Sequence, residues 1–207
     1  MGILDELASA TGDKQSNGEM VKRCIDMPAL LHSIAEGLRT GTPKARVDCA
    51  EILVEVARRR PELLGSFVND FLDASRDATK RIAELGFEGL VLLTPVQPAE
   101  VFAEREYLLG VAKEGNLHGA SALASLCGLN ANYRGKLLGT VLRLLAGVQD
   151  KDLPKWVTAL APAVEGSADA VKRLTSTVQP RRAALPEAAA KKLDKAITKL
   201  ERSTAKR

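Results

Sequence analysis

The sequence predicts an all-α fold: a right-handed superhelix of about five stacked antiparallel helix pairs, an α-solenoid. Three observations predict it. Pro61 and Pro98 each open an amphipathic segment, Pro61-Glu62-Leu63-Leu64 and Pro98-Ala99-Glu100-Val101, and stand 37 positions apart. Two-helix units recurring every 33–47 residues or so mark such arrays. Of the 207 residues 45% are hydrophobic but only 3% are aromatic, so the core must come from Ala, Leu and Val. A β-sandwich of this length would carry more Thr, Tyr, Phe and Ile. Finally, apolar residues recur at helical spacing from residue 28 onward.

Residues 1–27 read as a loosely packed lead-in or cap. Helix-like pieces at 3–10 and 19–25 are separated by the breaker clusters Thr11-Gly12-Asp13 and Ser16-Asn17-Gly18. Regular repeats then occupy residues 28–179. Pro28 suits a first turn, Leu30, Leu31, Ile34 and Leu38 make one stripe, and Gly41 ends the helix. Thr42 caps the next helix and Pro43 takes its first position. Cys49, Ala50, Ile52, Leu53, Val54, Val56 and Ala57 make a stripe too wide for a helix with one wet face, which marks an inner helix with several neighbours. The outer helix at 61–74 carries Leu63, Leu64, Phe67, Val68, Phe71 and Leu72, and Ser75 or Asp77 caps its partner. The segment 98–113 is the next outer helix, and Gly115-Asn116 turns into an inner helix from Leu117. Asn130 or Asn132 starts a fourth outer helix, Asp150 or Asp152 followed by Pro154 opens its partner, and Ser167 caps a fifth start. The last helix, 185–202, has a narrow stripe of Ala189, Leu193, Ala196, Ile197 and Leu200 opposite Lys191, Lys192, Lys195 and Lys199. That suits a terminal capping helix, so residues 180–207 are expected to form a basic cap and tail.

Thr42-Pro43 followed by Arg46, Cys49, Ala50 and Leu53 resembles the second helix of HEAT repeats, the armadillo-like family. Asp77, Thr79, Lys80, Arg81, Ala83 and Leu85 form a looser copy, with the basic residues shifted. Leu117-His118-Gly119-Ala120 lacks the basic residue, and the copy at 152–160 has Lys155 near its place. The resemblance covers about residues 28–165. It implies a superhelix whose inner helices line a concave surface, and it brings no catalytic residue with it.

Net charge is +4 and uneven: eleven Lys/Arg face three Asp/Glu from Lys172 onward, against nineteen and twenty-three before it. Two basic groups follow. Lys44, Arg46, Lys80, Arg81 and Lys155 stand near inner-helix starts. With Trp156, the resemblance places them on the concave surface, as a ridge for acidic protein segments or phosphates. Their alternative use is ion pairing within and between repeats. The tail group is Arg181, Arg182, Lys191, Lys192, Lys195, Lys199, Arg202, Lys206 and Arg207. It suits nucleic acid, anionic lipid or an acidic partner, or it is a solvated face that aids solubility. No aromatics interleave there for base stacking.

Other chemistry is sparse. The sequence has no P-loop, no glycine-rich phosphate cradle and no HExxH. Cys24, Cys49 and Cys127 form no CxxC or ligand cluster, so neither metal nor cofactor is implied, and they suit a reducing cytoplasm. His32 and His118 lack readable partners for catalysis. Gly86, Gly89, Gly135 and Gly139 fall within helices, where they suggest close helix crossings. The apolar run at 89–95 is too short for a bilayer. The acidic start is unlike a secretory signal, and Glu6 stands where N-myristoylation wants Ser or Thr. The expected function is a non-enzymatic scaffold or adaptor that binds a protein partner along the concave face. The reading from another class is nucleic-acid binding or alkylated-DNA repair, since some HEAT-like proteins are glycosylases with Trp, Asp and Arg in that cleft. Trp156, Asp152 and Lys155 are the residues here that resemble such a set, although the chain has one Trp and a net-acidic body.

Overall fold

The computed structural model describes residues 2–13 and 15–205, and every regular element among them is helical. No helix among these residues is long and apolar enough to cross a membrane. The chain divides into two compact units, Met1–Val101 and Phe102–Arg207.

The first unit holds α1 (Ala8–Thr11), α2 (Gln15–Asp26), α3 (Leu30–Thr40), α4 (Pro43–Arg59), α5 (Val68–Ser75) and α6 (Lys80–Leu93). Its lead-in is firmly packed rather than loose: Leu7, Met20, Val21 and Cys24 are buried. The buried Asp48 of α4 ties it down, accepting from Ser9 N at 2.7 Å and from Asn17 Nδ2 at 2.8 Å. The breaker cluster at 16–18 lies inside α2, because tertiary contact with α4 outweighs its weak helix propensity.

Helix α4 has the several neighbours its wide stripe requires. The Thr42 hydroxyl accepts from Ala45 N at 3.4 Å, Pro43 occupies the first turn, and α2, α3 and α6 all pack against it. Pro61 opens a 3-10 segment, Pro61–Phe67, before α5 begins. Gly65 and Ser66 weaken an α-helix there, and a Cβ at Gly65 would lie 2.7 Å from Gln97 Nε2. The cap of α6 is neither Ser75 nor Asp77. Ser75 ends α5, and Thr79 holds the N-cap position while its N–H donates to Asp77 at 2.8 Å. The crossing of α5 and α6 needs glycine: a Cβ at Gly86 would meet Ser75 N at 2.3 Å, and one at Gly89 would meet the Phe71 ring at 2.1 Å.

Helix α7 (Pro98–Ala103) contains the division between the units. The second unit continues with α8 (Arg105–Lys113), α9 (Leu117–Leu129), α10 (Ala131–Gly147), α11 (Leu153–Val164), α12 (Ala168–Val178) and α13 (Glu187–Ala205). The single helix expected over 98–113 is broken at Glu104 (φ −89°, ψ 12°). Gly115 supplies a left-handed turn at φ +98°, and Asn116, Asn130 and Ser167 cap α9, α10 and α12 through their side chains. Helix α9 packs on α8, α10 and α11, and buries Ala120, Ala122, Leu123, Ala124, Leu126 and Cys127. The expected close crossings at Gly135 and Gly139 are absent. Nothing lies within 4 Å of a Cβ at Gly135, and only Arg173 Nη2, at 3.9 Å, approaches one at Gly139. Helix α13 packs on α11 and α12, and Ala190, Leu193, Ile197 and Leu200 are its buried residues. Helices α4, α6, α9 and α11 start at intervals of 37, 37 and 36 residues, matching the Pro61–Pro98 interval.

Candidate functional site

The cations singled out in the sequence separate into structural and free ones. In the first unit Arg46 donates from Nε to Leu38 O at 2.8 Å and from Nη2 to Asp77. Arg81 pairs with Glu51 at 2.7 Å. Arg39 pairs with Asp70, and Arg58 pairs with Glu88 and, at 2.9 Å, with Glu55. Arg59 adds a second bond to Glu55, also at 2.9 Å. Four of these ties, Arg39–Asp70, Arg46–Asp77, Arg58–Glu88 and Glu51–Arg81, span 30 or 31 residues and link successive helix pairs. Their effect on the acids is plain. The hydrogen bond from Arg59 leads in holding the Glu55 carboxyl below its usual value. Burial is the largest influence on Asp77 and raises it, but the Thr79 N–H and Arg46 together outweigh burial and hold it low. A groove of about 370 Å³ runs over α2, α4 and α6, and each of its charges is paired: Arg81 with Glu51, and Arg58 with both Glu55 and Glu88. Lys44 is exposed, and Lys80, its side chain 90% exposed, lies 3.9 Å from Glu84.

In the second unit Trp156 is a core residue, 6% exposed, at the base of a groove of about 780 Å³. Arg181 is a clamp on the α10–α11 connection. It bonds Asp150 through Nε at 2.9 Å and Nη2 at 2.5 Å, and Leu145 O through Nη1 at 2.6 Å. Arg182 grips Asp194 with two bonds of 2.7 and 2.6 Å, and Lys191 pairs with Glu187 at 2.6 Å.

Four lysines differ from these. Lys192, Lys195 and Lys199 share one face of α13 at helical spacing, and Lys155 meets them from α11. The four rim a groove of about 460 Å³ with Pro154, Thr158 and Ala196 between them. Lys192, Lys195 and Lys199 have no carboxylate partner among the described residues, and Lys155 is 4.0 Å from Asp152, at the limit of an ion pair. The face continues into a depression of about 620 Å³ that Arg202 also lines. Lys155 and the three tail lysines belong to separate groups in the sequence, and the packing of α13 on α11 makes them one site. Lys206 and Arg207 lie outside the described residues.

The remaining reactive groups are quiet. Cys24, Cys49 and Cys127 are free and buried. Burial pushes the Cys24 thiol up to about 11 and those of Cys49 and Cys127 to about 12, so none is a thiolate near neutral pH. His32 is exposed with its ring 5.1 Å from that of Phe67, and His118 is exposed at the start of α9. No group of three His, Cys, Asp or Glu among the described residues could hold a metal ion.

One cluster escaped the sequence reading. Arg105 lies 4.8 Å and Lys136 5.5 Å from the centroid of the Phe102 ring, and Tyr133 tilts against that ring at 5.0 Å. Its sequence trace is two aromatic–cation pairs at i, i+3, Phe102/Arg105 and Tyr133/Lys136. The chain matches no protein-family model, no curated protein and no solved structure.

Proposed function

We propose that this chain is a non-catalytic binding module, a HEAT-like right-handed stack of about five helix pairs, that captures an acidic segment of a partner protein. The observation that carries this reading is the groove rimmed by Lys155, Lys192, Lys195 and Lys199. Several arginines of the same chain are engaged in ties, whereas all four lysines are exposed and Lys192, Lys195 and Lys199 have no carboxylate partner among the described residues. Like charges gathered at a surface repel, and an incoming carboxylate removes that repulsion. Each contact is worth at most about 1 kcal/mol in water. Affinity would therefore come from several together, with electrostatic steering raising the association rate. The three α13 lysines span only about 10 Å at 1.5 Å per residue. The floor of Pro154 and Ala196 suits a small apolar side chain between acidic ones. As a scaffold or adaptor, the module would work in the cytoplasm, where free buried cysteines remain reduced.

The continuation of the basic face to Arg202 favours a second reading, nucleic-acid binding. The two separate by competition. A fluorescent Glu-rich peptide should bind and be displaced by excess unlabelled peptide but poorly by a single-stranded or duplex oligonucleotide. Tighter oligonucleotide binding, with a steep loss of affinity as salt rises, would favour the second reading. A repair activity would need an accessible counterpart of Trp156, which is buried here.

A further inference from the structure

We infer that the cleft between α8 and α10 binds a small organic anion with an apolar body, of the aromatic or aliphatic carboxylate class. The site is independent of the lysine groove and shares no residue with it. The cleft encloses about 390 Å³, with Leu109, Leu137 and Val141 supplying an apolar lining and Phe102 an aromatic one. That volume is at the small end of the usual range for ligand pockets, about 300–1,000 Å³. It suits a compact molecule.

The charge at the cleft selects the ligand's head group. Arg105 and Lys136 both line it, and both stand over the same ring, 4.8 and 5.5 Å from its centroid. The face of one ring attracts both cations yet leaves their mutual repulsion in place. Lys136 has no carboxylate partner among the described residues. Arg105 donates from Nη1 to Phe102 O at 3.3 Å, and its Nε is 3.6 Å from Glu106, too far for a good hydrogen bond. The guanidinium therefore keeps donors for a carboxylate, which it can grip with two parallel bonds. The apolar body of the same molecule would cover the Phe102 ring and the leucines. Tyr133, 5.0 Å from Phe102 and tilted by 41°, supports the ring from the neighbouring helix. Glu106, its side chain 78% exposed, is the competitor an incoming carboxylate must displace.

The test is calorimetric titration of the full chain with 2-naphthoate, alongside its neutral carboxamide, with amide-resolved NMR to locate the response. The acid should bind about tenfold more tightly than the amide, the scale of one charge-assisted hydrogen bond. Shifts should concentrate on α8 and the first half of α10. R105Q and K136Q should each weaken the acid about tenfold without affecting the amide. E106Q should tighten it, and K192Q/K195Q/K199Q should leave it unchanged. These are surface substitutions, and unchanged thermal melts would show that each variant is folded. Equal affinity for acid and amide would overturn the proposal, as would indifference to both R105Q and K136Q. So would loss of binding in the triple lysine variant, or no binding at millimolar acid.

Discussion

The two units carry net charge of opposite sign, and the second alone gathers lysines around a groove. Residues 1–101 carry twelve Lys/Arg against sixteen Asp/Glu, net −4, and residues 102–207 carry eighteen against ten, net +8. The first unit is rich in arginine, eight of its twelve cations, and four of those arginines, Arg39, Arg46, Arg58 and Arg81, reach carboxylates 30 or 31 residues away. The second unit has ten lysines, and four of them surround one groove. Arginine's planar fork suits a fixed tie, and lysine's hydrated head suits a surface that waits for a partner. Basic charge in an all-helical chain is thus not one signal. Its meaning depends on whether a carboxylate of a neighbouring helix sits within reach.

The glycines sharpen the same contrast. Gly86 in the first unit sits where a Cβ would strike backbone, and Gly135 in the second sits in open space. Gly86→Ala should destabilise by about 1–3 kcal/mol or more through overpacking. Gly135→Ala should stabilise by about 1 kcal/mol, because alanine is the better helix former. Chemical denaturation of both variants measures this, and similar losses at the two positions would refute the close-crossing assignment.

The next largest effect concerns the ties. Arg46→Ala should lower stability by about 1.5–3 kcal/mol, since it removes charge-assisted bonds that are largely shielded from solvent. The sign with pH follows from Asp77, whose carboxyl is held below its ordinary value in the folded state. Its contribution is therefore complete above the unfolded value of about 3.9 and fades as pH falls through the lower folded value. Denaturation of wild type and Arg46→Ala from pH 6 to 2 should show the difference between them shrinking only at the acid end. Equivalent substitutions at Lys192, Lys195 or Lys199 should change stability by less than about 0.5 kcal/mol each.

Much of this contrast is legible in the chain, but not all. The caps Thr42 and Ser167 and the wide stripe of α4 are local features, and they stand where the sequence puts them. The packing of Leu7, Met20 and Cys24 is not legible, because it depends on a neighbouring helix that covers them. The 3-10 start at Pro61 could have been read from Gly65-Ser66. At the site, each lysine is visible in the sequence but their meeting is not, because Lys155 and Lys192 stand 37 residues apart and are joined only by the packing of α13 on α11. The Phe102 cluster was hidden for the same reason, its second aromatic, Tyr133, lying 31 positions along the chain.

The central claim, that the groove rimmed by Lys155, Lys192, Lys195 and Lys199 is the working surface, is tested most directly by fluorescence anisotropy. Wild type and the K155E/K192E/K195E/K199E variant would be titrated with a labelled Glu-rich peptide at low and physiological salt, with thermal melts run in parallel. Reversing four charges at contacts worth about 0.5–1 kcal/mol each predicts a loss of affinity of at least about 30-fold. Wild-type binding should weaken with salt, and the melt should be nearly unchanged. Full retention of peptide affinity by a folded quadruple variant would contradict the account.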